Sequence, residues 1–426
     1  MRSALWLLAI FAAAVGVALF ATRSTGSVTL YWPPYRVDLS LNLVLLLLVG
    51  LFVLLHLAIR AFGALMDLPQ EAKAWRATQR QQAMHAQLRD ALAHLLAGRF
   101  SRAKKQALQA HMHAKALQSD ASVRSTSLEV QSQSLLIAAE ASQSMQESDE
   151  REKYVQAALD IALPKSAAHF KEGAILRSAR WMLDEHDPRM SLVRLSSLSQ
   201  GVQRRTLALR LKLRALQLAG EPTQALETAR LLAKHGGFSA QASSSMVRSL
   251  AISSLSQAHD ADQLSRAWDA LSSEERAQPA VATHAALRLV NLSANSADEM
   301  HWREQSRAWL EPVWLRYPQL LEAEQIRLVS ALEASFSGAQ AQLDLGWLSK
   351  IETAQRQLPH DVPLQYLAGM ACLHRQLWGK AQQLLSQSVS HLGDAGLRRS
   401  AYRSLSVLAE QRGDADAAMA ALKKLV

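Results

Sequence analysis

The chain has 426 residues, 49% of them hydrophobic, with 17 glycines and 11 prolines, which allows two or three domains or one long helical array. A single cysteine, Cys372, excludes an internal disulfide and any metal site built from cysteines. A net charge of +10 suits an anionic partner such as a membrane surface, nucleic acid or an acidic ligand, and the sparse Gly and Pro favour helices throughout.

Residues 5–21 form a first apolar run, between Arg2 and Arg23. A cleaved signal peptide is one reading; an uncleaved membrane span is preferred, because Phe20-Ala21-Thr22-Arg23 is a poor small-x-small cleavage site. The link that follows, about residues 22–40, holds the cluster Tyr31-Trp32-Pro33-Pro34-Tyr35. Aromatic rings favour the headgroup layer and two prolines favour a turn, so a tight extracytoplasmic connection is expected. Leu41 to Ile59 is then 19 residues without a formal charge. At 1.5 Å per residue it reaches roughly 28 Å, enough for a hydrocarbon core of about 30 Å. The expectation for residues 1–60 is a transmembrane hairpin with spans at about 5–21 and 41–59.

Past that run come Arg60, Lys73, Arg76, Arg80, Arg89, Arg99, Arg102, Lys104 and Lys105, against Asp67, Glu71 and Asp90. The link between the spans carries only Arg23 and Arg36. Positive-inside bias therefore places both ends, and the soluble body, in the cytoplasm. Residues 61–82 read as a basic juxtamembrane helix or linker, expected to lie against anionic lipid or to solvate a helix face.

From about Glu71 onward Ala, Leu, Gln, Arg and Glu recur with three- and four-residue apolar spacing, and no run alternates as a strand would. Pro188, Pro222, Pro279, Pro318 and Pro363 fall where one helical pattern ends or the next begins. Self-comparison finds a repeated helix–turn–helix. From Leu364 to Ser390, a first helix leads through a break at Leu377-Trp378 to a second. Gly369, Ala381, Leu385 and Ser388 sit at the offsets of the small and apolar positions in the 34-residue tetratricopeptide pattern. Tyr402 to Val426 repeats it with Gly413-Asp414 at the turn. Leu88–Ala110, turning at Gly98, and Leu209–Leu232, turning at Gly220, fit more loosely. Small residues at fixed places let paired helices approach closely, and each pair buries its remaining apolar face on its neighbour. The fold class expected is all-α: a two-helix transmembrane hairpin followed, over residues 83–426, by a tetratricopeptide-like α-solenoid. A generic helical bundle is the alternative.

The two N-terminal spans with their short aromatic link, the basic Arg60–Lys105 stretch and the run from Pro363-Leu364 to Trp378-Gly379-Lys380-Ala381 together resemble the proteobacterial HemY family. The resemblance implies an inner-membrane protein associated with late protohaem formation, without established catalytic activity. An unrelated flavin-dependent protoporphyrinogen oxidase shares the name; its chemistry needs a G-x-G-x-x-G after a strand, and no such motif follows a strand pattern in this sequence.

No H-E-x-x-H, G-x-S-x-G or Walker pattern occurs, and His111 and His113 point about 200° apart on a helix, so they cannot share a metal. No catalytic residue, metal site or enzyme activity is therefore expected. His56 lies within the second apolar run, where an ionisable group is uncommon; it is a candidate porphyrin contact, or a neutral imidazole near the headgroups. Cys372 reads as a small buried hydrophobe. The phasing of the repeats nominates a partner-binding groove of Arg210, Arg214 and Gln217, then Tyr366, Met370 and His374, then Arg403 and Glu410, with Leu92 and Leu95 in the first unit. Arginines there would pair with carboxylates of an acidic loop, a peptide C-terminus or a porphyrin propionate; solvated helix-face charges are the alternative. The expected partners are the bilayer and proteins of the tetrapyrrole pathway, with haem a possible ligand and no nucleic acid.

Overall fold

The computed structural model describes residues 11–12, 15–16, 26–294, 296–336 and 344–424, with the side chains of 63–74 left aside. The first apolar run lies outside the described residues apart from four of its positions. Contacts divide the chain into two units, residues 1–170 and 171–426.

The first described element corrects the all-α expectation. Residues 27–32 (β1) and 35–40 (β2) form an antiparallel two-stranded hairpin closed at Pro33-Pro34, in the register Ser27 to Ser40 through Trp32 to Tyr35. The β-branched and aromatic residues here alternate with polar ones on both sides of the two prolines. From Ser40, whose hydroxyl caps the N–H of Leu43 at 3.4 Å, a single helix α1 runs over Leu41–Leu96. Its first part, Leu41–Phe62, is the one helix among the described residues long and apolar enough to cross a membrane; its mean hydropathy is 2.7 and none of it is buried in the protein.

The far end of α1 enters a bundle with α2 (Phe100–Leu117), α3 (Arg124–Ser144) and α4 (Ser148–Asp160). The interior of this bundle is built from small side chains: Ala91, Ala103, Ala107, Ala110, Ala114, Ala138 and Ala139 are fully buried, with Ser127, Ser132 and Ser134. Small residues let the helix backbones come close, and Ser127 spans the short gap by donating to the carbonyl of Ala114 at 2.6 Å.

The second unit continues as helices: α5 (Ala168–Asp184), α6 (Pro188–Ser196), α7 (Gln200–Gln203), α8 (Thr206–Ala219), α9 (Pro222–Lys234), α10 (Ala240–Ser256), α11 (Ala261–Asp269), α12 (Ser273–Arg276), α13 (Pro279–Ser293), α14 (Glu299–Trp314), α15 (Glu322–Phe336), α16 (Leu345–Gln357), α17 (Val362–His374), α18 (Trp378–Val389), α19 (Ala395–Gln411) and α20 (Ala415–Lys423). Pro188, Pro222, Pro279 and Pro363 sit in first turns, where no N–H is needed, and Asp187, Asp361, Asp394 and Asp414 cap helix starts. Ala225, Ala381, Leu385, Ser388 and Cys372 are all fully buried, as repeat positions require.

One turn recurs. Helices α1, α3, α5, α8, α17 and α19 each end on a residue of positive φ, namely Gly98, Gln146, His186, Gly220, Gln376 and Gly413. The next N–H in each case returns to the carbonyl five residues back, at 2.8 to 3.0 Å. This is the Schellman closure, and it sends the chain straight into the following helix. All four helix pairs expected from the sequence are present; α3/α4 and α5/α6 use the same turn and were not foreseen. Because a left-handed conformation costs a residue with a Cβ about 1–2 kcal/mol, Gln146→Gly, His186→Gly and Gln376→Gly should each stabilise the fold by up to ~1 kcal/mol. Gly220→Ala and Gly413→Ala should destabilise it by ~1 kcal/mol. Urea unfolding reads both signs, and stabilisation by either alanine would refute the account.

Candidate functional site

Within the second unit the first helices of successive pairs, α13, α15, α17 and α19, pack side by side, and the polar residues nominated from sequence mostly lie along that row or on α8. The structure separates them into three groups. Tyr366 is fully buried and Met370 only 5% exposed, so neither lines a groove: α17 is enclosed on nearly every side, and offsets that would face a partner at the edge of an array face the core at its centre. Arg210 and Arg214 are exposed but engaged. Arg210 donates to the carbonyl of Gly237 at 2.5 Å and lies 5.6 Å from the Phe238 ring, and Arg214 approaches Asp184 at 3.7 Å. Gln217, Arg403 and Glu410 are exposed; His374 is half-buried, edge-on to Phe336 at 6.2 Å.

The Arg210 contact is one case of a wider device. Arg230 reaches the carbonyl of Ala270, Arg288 that of Ala258, Arg303 that of Ala334, Arg307 that of Ser335 and Arg316 that of Ala277. These acceptors lie at or just beyond helix C-termini, where carbonyls lack partners and the helix dipole is negative. Arg303 and Arg307, 6% and 5% exposed, both close the end of α15, and Arg303 also clamps Glu299 at 2.6 and 2.8 Å. A good part of the arginine content therefore holds helix to helix. Sequence inspection missed these arginines because nothing in their spacing distinguishes a guanidinium aimed at a neighbouring helix from one in water.

A second polar cluster crosses the row. Ser400 on α19 donates to Glu333 on α15 at 2.5 Å, with Tyr366 of α17 buried beside them. Burial pushes the Glu333 carboxyl upward, and burial followed by the Glu333 charge pushes the Tyr366 hydroxyl upward. His374 is held below the usual imidazole range, first by burial and then by Arg303. Among the described residues no group of three or more His, Cys, Asp or Glu could hold a metal ion.

Elsewhere in the unit Glu275, 5% exposed, receives Arg230 through both oxygens at 2.9 and 2.6 Å and closes a capping box with Ser272. Burial alone would raise its carboxyl, but the Arg230 and Ser272 hydrogen bonds outweigh it and hold it low. A depressed carboxylate contributes stability above its unfolded-state pKa and loses it as pH falls through the folded value. Glu275→Gln should therefore cost ~2 kcal/mol at pH 7, below the full buried-pair figure because Arg230 is partly solvated. The gap to the parent should shrink at pH 4; equal urea midpoints at pH 7 would refute the assignment.

The basic stretch after the span is carried by α1 itself. At 1.5 Å per residue, Arg76, Arg80 and Arg89 stand about 20 to 40 Å along the helix from Phe62. His56, the candidate porphyrin contact, is exposed on the span with Phe52, Leu55 and Ile59.

Comparison with solved structures gives similarity to the complex of Naa15/Naa10 with HypK-THB, at 14% identity and TM-score 0.25, over 78% of this chain and 56% of that one. It also gives the TPR domain of P58(IPK), at 14% identity and TM-score 0.21, over 77% of this chain and 99% of that one. Scores this low carry no argument about fold or function. The chain spans little more than half the length of the first. No curated protein matches. The family model for the HemY protein N-terminus matches residues 26–146, a stretch that takes in the hairpin, α1, α2 and α3. Over that region the chain is similar to the HemY N-terminal family.

Proposed function

We propose that this protein is a membrane-anchored scaffold that docks proteins of late protohaem synthesis at the inner face of the bacterial inner membrane and performs no chemistry of its own. The observation that carries the reading is the unbroken helix α1: the apolar span and the first helix of the bundle are one element, so the α1–α4 bundle is joined to the span without a linker. A body of helix pairs buries its small residues inside and leaves side chains such as Gln217, Arg403 and Glu410 outside for recognition. The HemY N-terminal match supplies the link to haem formation, and the excess of Lys and Arg after the span supports a cytoplasmic body. Placing a hydrophobic intermediate near its next enzyme requires docking alone.

Affinity capture of the full chain from native membranes in mild detergent should recover late-pathway enzymes such as the ferrochelatase or the protoporphyrinogen oxidase. Their consistent absence, with the span and fold intact, would defeat the proposal. Direct porphyrin binding is the alternative. His56 is exposed on the apolar span, and burial lowers the pKa of His374, which favours the neutral form that an iron ligand needs. Haem titration of the parent, His56→Ala and His374→Ala proteins tests it; superimposable Soret bands would remove both residues.

A further inference from the structure

The register of the N-terminal hairpin sorts its twelve strand residues onto two unlike faces. Side chains alternate along each strand, and directly paired residues share a face. The pairs Val28–Leu39, Leu30–Val37 and Trp32–Tyr35 fall on one face, which is apolar throughout. The pairs Ser27–Ser40, Thr29–Asp38 and Tyr31–Arg36 fall on the other. That second face is internally satisfied: Arg36 approaches Asp38 at 3.4 Å and lies 5.5 Å from the Tyr31 ring centroid.

Among the described residues no core lies beneath the apolar face. Leu30 is 54% exposed, Trp32 73%, Tyr35 71% and Val37 44%. The hairpin is fixed at its base, where β2 leads directly into the span and the N–H of Leu41 donates to the carbonyl of Gly26 at 2.9 Å. An isolated two-stranded hairpin is marginal in water and needs a hydrophobic surface to rest on. The nearest such surface is the bilayer that Leu41–Phe62 enters at that point.

We propose that the hairpin lies on the outer leaflet as an amphipathic β-ribbon, its Val28, Leu30, Trp32, Tyr35, Val37 and Leu39 face set into the lipid and its Thr29, Arg36 and Asp38 face turned to water. Continuity with the span fixes its height at the interface. Trp32 and Tyr35 are the residue types that favour that layer, where an apolar ring meets acyl chains and a polar edge meets headgroups. The ribbon thereby sets where the span begins, because sliding α1 inward would drag Arg36 and Asp38 into hydrocarbon.

The test uses the full chain in nanodiscs of phosphatidylethanolamine and phosphatidylglycerol, with Cys372→Ala to remove its one cysteine. Nitroxides are placed singly at Leu30→Cys and Val37→Cys on one face and Thr29→Cys and Asp38→Cys on the other, with Leu47→Cys marking the span. Power saturation with oxygen and with a water-soluble nickel chelate reads depth at each site. Leu30 and Val37 should show several-fold greater oxygen than nickel accessibility, as Leu47 does, and Thr29 and Asp38 the reverse. Nickel access to both faces would mean that the ribbon stands in water, and exclusion of both reagents at Leu30 and Val37 would mean that protein covers it. Either result overturns the proposal. The Leu47 label separates failure of the ribbon from failure of the anchor, and neither bears on which proteins the body captures.

Discussion

Leu47→Arg combined with Leu51→Arg should abolish insertion of α1 into the membrane. Both leucines are 63% exposed, one turn apart, near the middle of a segment that no described residue covers, and the proposed span would set them in lipid. On insertion-derived scales each Leu at a helix centre contributes roughly −0.3 to −0.6 kcal/mol and each Arg costs roughly 2.5 to 3.5. The exchange of two therefore costs about 6 to 8 kcal/mol, comparable to the whole favourable sum over a span of this composition. Isoleucine at the same two positions should change nothing. Alkaline carbonate extraction and protease access to the residue 26–40 hairpin and to the body beyond residue 100 read the outcome. If residues 5–21 form a second span with its N-terminus in the cytoplasm, the doubly substituted protein stays in the pellet and its hairpin stays outside, while the body changes side. Unaltered retention together with an unaltered side for the body would show that Leu41–Phe62 is not a span.

What could be read from the sequence, and what could not, follows from how each feature is encoded. The helix pairs turning at Gly98, Gly220 and Gly413 announce themselves, since glycine is the residue that enters a left-handed turn without strain. The turns at Gln146 and His186 have the same geometry without the glycine, so α3/α4 and α5/α6 merge into the surrounding helical pattern. The turn at Gln376 was found only because Ala381, Leu385 and Ser388 follow at repeat spacing. The β-hairpin was missed for another reason. Its alternation is complete on each side of Pro33-Pro34, but each strand is only six residues long, and the aromatic cluster reads equally well as a membrane-interface turn.

The proposed groove fared worst, on a tertiary fact. Helix periodicity says which residues share a face, not which faces are covered. On α17 neighbours cover nearly all of them, which buries Tyr366 and Met370; on α19, Arg403 and Glu410 remain outside. Net charge carries the same ambiguity. A guanidinium that closes the end of a neighbouring helix, as Arg303 and Arg307 do for α15, counts toward +10 like one facing water.

Gly369→Ala should destabilise the second unit by about 1 to 3 kcal/mol, the usual range for overpacking, and lower its unfolding midpoint by several degrees. A Cβ at this position would stand 2.8 Å from Leu385 Cγ and 3.2 Å from the Leu385 backbone nitrogen. The side chain could turn aside, but the backbone nitrogen belongs to α18 and yields only if the helix does. Gly369 is thus the contact that sets the spacing of α17 and α18. Because α17 also packs on α15 and α19, moving it disturbs Glu333 and Ser400 on either side. Leu385→Ala alone should cost about 2 to 5 kcal/mol, through lost burial and the cavity left behind. The two together should cost less than their sum by ~1 kcal/mol, because the added methyl enters space that the leucine vacates. A cycle of four urea curves measures that coupling. Strict additivity, or a Gly369→Ala protein as stable as the parent, would mean that the small residue is not what brings the paired helices together, and the packing argument for the whole repeat would fall with it.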